Sequence, residues 1–97
     1  MKISWKTSGH RSGLFVNDTE IAYISHPGRY EGVDDYVCCM PVSGGYAERR
    51  LVSNNLEDAK KELINILIQK YEEQIGVWKE CIADYEERVS ILKVAIA

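Results

Sequence analysis

The chain is poor in residues that interrupt or staple a fold. It has two prolines and three cysteines in 97 residues, and from Leu56 onward no proline and a single glycine, Gly76. An odd cysteine count with no Cys-x-x-Cys spacing reads as reduced thiols rather than a disulfide framework. No apolar run approaches the length of a membrane span. The opening MKISWKTSGHRSG lacks the apolar core of a secretory signal, so the expected location is the cytoplasm. There is no basic excess. Residues 1–55 hold six acids and six bases, and residues 56–97 hold nine acids against six bases. That balance argues against nonspecific nucleic-acid binding.

What is present falls into two periods. Up to Ser53 the chain reads in strands. Ile3–Thr7 alternates, Ser8–Gly13 reads as a polar loop, and Leu14-Phe15-Val16 runs into Asn17-Asp18, a pair suited to a tight hairpin. Thr19–Ser25 alternates again until His26-Pro27-Gly28, and a polar loop follows over residues 28–35. Tyr36–Val42 is a further strand, in which Pro41 belongs at an edge or end because it cannot donate to a ladder. Ser43-Gly44-Gly45 is a hairpin turn, and Ala47–Ser53 completes a meander.

Beyond Ser53 the period becomes helical. Ser53-Asn54-Asn55 offers capping side chains, with Glu57 or Asp58 three residues after an Asn. One apolar seam, Leu56, Ala59, Leu63, Ile66 and Leu67, has the breadth of a helix lying on a sheet. A second seam is a heptad. Ile68, Ile75, Ile82, Val89 and Ile96 fall seven apart, and Tyr71, Trp78, Tyr85 and Leu92 follow at the fourth position.

The expected fold is α+β: one domain of 97 residues, with a four- to five-stranded antiparallel meander over residues 1–53 and one long coiled-coil-like helix over 54–97. A helix of about 40 residues spans roughly 60 Å, and strands of this kind span roughly 17–20 Å. Most of the seam is then expected beyond its own sheet. Either the helix runs through Gly76 and pairs with a second copy along residues 64–96, or it breaks there into a hairpin. Ile75 and Val77 beside Gly76 are poor loop residues, so a homodimer is expected. β-Branched first positions favour a parallel pair, whereas the aromatic fourth positions leave orientation open. In a parallel pair the flanking charges help little. Gln74 with Lys79 and Cys81 with Glu86 are neutral, and Arg88 with Lys93 is repulsive. An antiparallel pair, or a helix docked on a partner's sheet, remains an alternative.

No catalytic motif emerges. His10, His26, Cys38 and Cys39 match no structural zinc spacing. Cys38 or Cys39 with His26 is the only nucleophile–base combination, and nothing in the sequence orients the histidine. Asp34-Asp35 reads as a solvated loop pair. Gly44-Gly45 lacks the lysine and hydroxyl residue of a phosphate loop. The expectation is therefore no enzyme, no metal and no cofactor. Arg29, Tyr30, Asp34, Asp35, Tyr46, Arg49 and Arg50 are the candidate partner-binding residues, since Tyr and Arg are frequent interface anchors. The same arginines and aromatics support, as an alternative, a nucleic-acid-binding dimer that uses the sheet.

The stretch GLFVNDTEIAYISHP, a second hairpin, and then NNLEDAKKELI resemble small accessory proteins of temperate phages and prophages, over residues 13–66. The resemblance is one of layout: a β-meander, then a helix opening in Leu-Glu-x-Ala-Lys. It implies a protein in the cytoplasm of a bacterial host that binds and redirects a host protein, such as a defence nuclease or a CRISPR-Cas complex. It assigns no residue a role.

Overall fold

In the computed structural model the described residues are 2–28, 32, 34–42 and 44–96. Five strands, β1 (Ile3–Ser8), β2 (Arg11–Val16), β3 (Thr19–Ser25), β4 (Val37–Val42) and β5 (Gly45–Arg50), precede one helix, α1 (Leu56–Ile96). The strands form a single antiparallel sheet in chain order. The chain divides into two compact units, residues 1–65 and residues 66–97.

Local chemistry accounts for the meander. Asn17 and Asp18 take φ of 50° and 66°, the left-handed pair that a two-residue β2–β3 hairpin requires. The expected loop over Ser8–Gly13 is shorter than the sequence implies. Only Gly9 and His10 turn, with Gly9 at φ +60°, while Arg11, Ser12 and Gly13 already pair in β2. Their polar composition misleads because Ser12, fully buried, has hydrogen-bond partners on both sides. Its Oγ lies 2.8 Å from Thr7 Oγ1 and 2.7 Å from His26 Nε2. The last strand also ends early, at Arg50. The Leu51 N–H turns to the Tyr36 carbonyl at 2.8 Å. The Val52 and Ser53 N–H groups donate to the Glu62 carboxylate at 3.0–3.1 Å, and the Ser53 hydroxyl donates at 2.6 Å.

The first unit has one core. Leu14, Ala22, Ile24, Cys38 and Met40 lie on one face of the sheet, with Leu51 just after it. Ala59 and Leu63, on the opening turns of α1, are both fully buried. Burial of each large aliphatic side chain is worth about 1.5–3 kcal/mol. Lys60 lays its ammonium 5.3 Å from the centroid of the Trp5 ring. Asn55 caps the helix: its Oδ1 accepts the Asp58 N–H at 2.9 Å and its Nδ2 donates to the Asp58 carboxylate at 2.8 Å.

The second unit is helical throughout, from Ile66 to Ile96, and α1 runs through Gly76 without a break. Ile66 and Leu67 are buried; from Ile68 to Ile96 every side chain is exposed. Gly76 faces open space, with nothing within 4 Å of an added Cβ.

Two substitutions should therefore act in opposite senses. Asn55→Ala should destabilise the first unit by about 1 kcal/mol, through an orphaned N–H at the helix start. Gly76→Ala should stabilise the helix by about 0.5–1 kcal/mol, because no neighbour opposes the methyl group. Denaturant titration and the thermal loss of helical circular dichroism measure the two effects.

Candidate protein-binding face

The ladder between β3 and β4 is short. It pairs Tyr23, Ser25 and the Ile24 between them with Cys39, Val37 and Cys38. Beyond Cys39, β4 continues along β5 alone; before Tyr23, β3 continues along β2 alone. Two local features hold the strands apart there. The β2–β3 register shifts at Leu14/Phe15, which leaves Ile21 as the extra residue of a bulge. Pro41 has no N–H with which to extend the ladder. Its expected place at a strand end is thus met on the β3 side, although β4 itself lies inside the sheet.

An open cleft of about 560 Å³ follows from this divergence. Glu20, Ile21 and Tyr23 of β3 line one side, and Cys39 and Pro41 of β4 the other, with Tyr46 and Glu48 of β5 beyond. Arg11 reaches in from β2, its guanidinium carbon 3.8 Å from the Tyr23 ring centroid and ion-paired to Glu20. Gly13 leaves room for the Glu20 side chain in this position. A Cβ there would lie 2.6 Å from the Glu20 carboxylate, which crosses β2 at this point. A hydrogen bond with Cys39, followed by partial burial, raises the Tyr23 phenol above its ordinary value, while Arg11 acts the other way. The phenol therefore stays protonated and able to donate. Tyr46 stands 76% exposed at the rim.

The structure places the sequence candidates unequally. Tyr46 and Arg50 share the outer face of β5, and the Arg50 Nε meets Asp35 at 2.5 Å. Arg49 lies opposite Cys38 and so on the core-side face of the sheet's last strand. Asp34 is exposed. Arg29 and Tyr30 lie outside the described residues. Arg11, Glu20, Tyr23 and Glu48 were not among the candidates. Their partial signal is the alternation of β3, which places Tyr23 on the face opposite Ala22 and Ile24.

Of the groups considered for catalysis, Cys39 lines the cleft, whereas Cys38 and His26 sit elsewhere. Cys38 is fully buried on the core side, and burial, the largest influence, raises its thiol above the ordinary value. His26, itself half-buried, shares a hydrogen bond with Ser12, which has no exposed surface to meet a substrate. Among the described residues no three His, Cys, Asp or Glu side chains gather as a metal site, and no helix is long and apolar enough to cross a membrane.

Burial, with His10 and Lys60 nearby, lowers His26 below its ordinary 6.5. Its contribution to stability is complete above pH 6.5 and is lost as pH falls from there through the lower folded-state value. For Glu62, burial acts to raise the carboxyl, but the hydrogen bonds from Ser53 and Val52 overcome it, and the net shift is below 4.5. That contribution is lost as pH falls below 4.5. Stability should therefore decline in two steps on acidification. Substitution His26→Gln should remove the upper step and Glu62→Gln the lower one, in urea titrations from pH 8 to pH 3. No protein-family model matches the chain, and neither the curated proteins nor the solved structures yield a match.

Proposed function

We propose that the protein is a non-catalytic inhibitor or adaptor that binds another protein through the outer face of its sheet. The observation that carries the reading is the open cleft walled by Tyr23, Tyr46, Pro41 and the Arg11–Glu20 pair. Its volume of about 560 Å³ lies within the range of pockets that bury small ligands. Tyrosine and arginine there offer large contact area with polar ends, the composition of interface anchors. The target is a host protein of the class that the phage resemblance implies, a defence nuclease or a CRISPR-Cas complex, and the mechanism is steric occlusion. The protein acts as a homodimer through the heptad face of α1, so that each assembly carries two binding faces.

The outer face favours protein over nucleic acid as the partner. Arg11 is paired with Glu20 and Arg50 with Asp35, and Glu48 adds a further carboxylate. A phosphate backbone would have to compete with those carboxylates for both guanidinium groups.

Affinity capture from a bacterial lysate tests the reading when run with two baits. The wild-type chain should retain a stoichiometric protein, and Tyr46→Ala, which removes an exposed side chain without touching the core, should retain at least tenfold less. Equal capture by both baits, or retention of nucleic acid alone, would overturn it.

A further inference from the structure

The heptad face is exposed along its whole length: Ile75 is 47% accessible, Trp78 60%, Ile82 55%, Tyr85 62%, Val89 49% and Leu92 64%. In heptad lettering, Ile68, Ile75, Ile82, Val89 and Ile96 are a positions and Tyr71, Trp78, Tyr85 and Leu92 are d positions. Glu72, Lys79, Glu86 and Lys93 then occupy the e edge. Their signs alternate. None of the four belongs to an ion pair within the chain. We infer that the occupant of this face is a second copy of the same helix, running antiparallel, in the single register that sets residue i opposite residue 167 − i. This deepens the homodimer reading above and rests on it.

Charge selects the direction. In an antiparallel pair the e edges face each other. In this register Glu72 meets the second copy's Lys93, and Lys79 meets its Glu86; symmetry doubles both, giving four attractive pairs. On the other edge Gln74 faces Ala95 and Cys81 faces Arg88, with no like charges opposed. A parallel pair instead sets e against g. It makes no attractive pair from these residues and opposes Arg88 to Lys93 twice. Charge also ranks the registers: a slip of two heptads keeps only two attractive pairs, Glu72 with Lys79 or Glu86 with Lys93, and slips of one heptad are repulsive. A slip of one heptad in one direction opposes Glu72 to Glu86 and Lys79 to Lys79. A slip in the other direction opposes Lys79 to Lys93 and Glu86 to Glu86.

Packing points the same way without reference to charge. In this register each layer joins one a residue to one d residue. Trp78 packs on Val89, Tyr85 on Ile82, Tyr71 on Ile96 and Leu92 on Ile75, so every aromatic meets a β-branched side chain. A parallel pair stacks Tyr71, Trp78 and Tyr85 each against its own copy, alternating overfull layers with layers of isoleucine or valine. A hollow of about 400 Å³ already lies at mid-seam, lined by Ile82, Tyr85, Glu86, Val89 and Ser90. In the inferred register it receives the second copy's Ile82 as a knob. The two edges also differ in character. The g edge carries Gln74, Cys81, Arg88 and Ala95 and is flanked by exposed Val77 and Ile91, whereas the e edge is fully charged. Antiparallel pairing joins like edge to like edge.

Charge reversal with rescue, read by analytical ultracentrifugation of the full chain, tests the inference. Neither Lys79 nor Glu86 has a charged neighbour three or four residues away on its own helix, so the readout is intermolecular. Lys79→Glu and Glu86→Lys should each weaken dimerisation roughly tenfold. The double variant should return to within about twofold of wild type. Orientation is read independently by cross-linking Glu72→Cys/Lys93→Cys in a Cys81→Ser background with a short bis-maleimide. The expected product joins residue 72 of one chain to residue 93 of the other; within one helix those positions lie about 31 Å apart. A monomer at tens of micromolar would overturn the homodimer itself. A dimer that shows no rescue, and whose links join 72 to 72 and 93 to 93, would overturn the antiparallel arrangement and leave the homodimer standing.

Discussion

Three residue pairs join the two halves of the sheet. Among the described residues, the ladder from Tyr23–Cys39 to Ser25–Val37 is the strand pairing that joins the β1–β2–β3 meander to the β4–β5 hairpin. Its central pair, Ile24 with Cys38, is fully buried, so the link and the core are one feature. Leu63 and Ala59 close that core from the helix, and Glu62 ties the Val52–Ser53 connection back to the helix beside them. The same short link opens the cleft on the other face. Where pairing stops, the strands diverge, and Arg11, Tyr23 and Tyr46 occupy the space left between them.

Much of this was legible in the residues, and the physical reasons for success and failure differ by element. Asn17-Asp18 and the Gly-rich turn after Val42 announce hairpins because few other residues accept their backbone angles. The helix is legible because its periodicity persists for forty residues without a proline. Ser8–Gly13 reads as a loop in the sequence because polar residues there imply exposure, whereas Arg11–Gly13 pair in β2. Ser12 is buried precisely matched to Thr7 and His26, partners that lie five residues before it and fourteen after it and that no local pattern reveals. The cleft was illegible for a related reason. It depends on where a ladder stops, which is a property of two strands and of a bulge at Ile21, not of either strand's own sequence.

The helix illustrates a different division of information. The period-seven apolar pattern leaves one face of the helix exposed and suited to pairing, yet it is almost indifferent to direction and to shifts of seven residues. The e-edge charges repeat every fourteen residues and so carry what the seam cannot. Two periods are superimposed on one helix: in the inferred dimer the apolar residues would supply the attraction, and the charges would oppose the parallel pair and the slips of one heptad.

Pro41 has a consequence for selectivity. An interrupted ladder is ordinarily an invitation to any extended chain, because unpaired backbone groups bind backbone without regard to sequence. Proline withdraws a donor at the margin of this gap, and the bulge at Ile21 puts the opposing strand out of step. A passing segment therefore finds little generic hydrogen bonding here. In the proposed binding mode, a segment entering here would have to be recognised by its side chains, so the surface would discriminate rather than accept any extended chain.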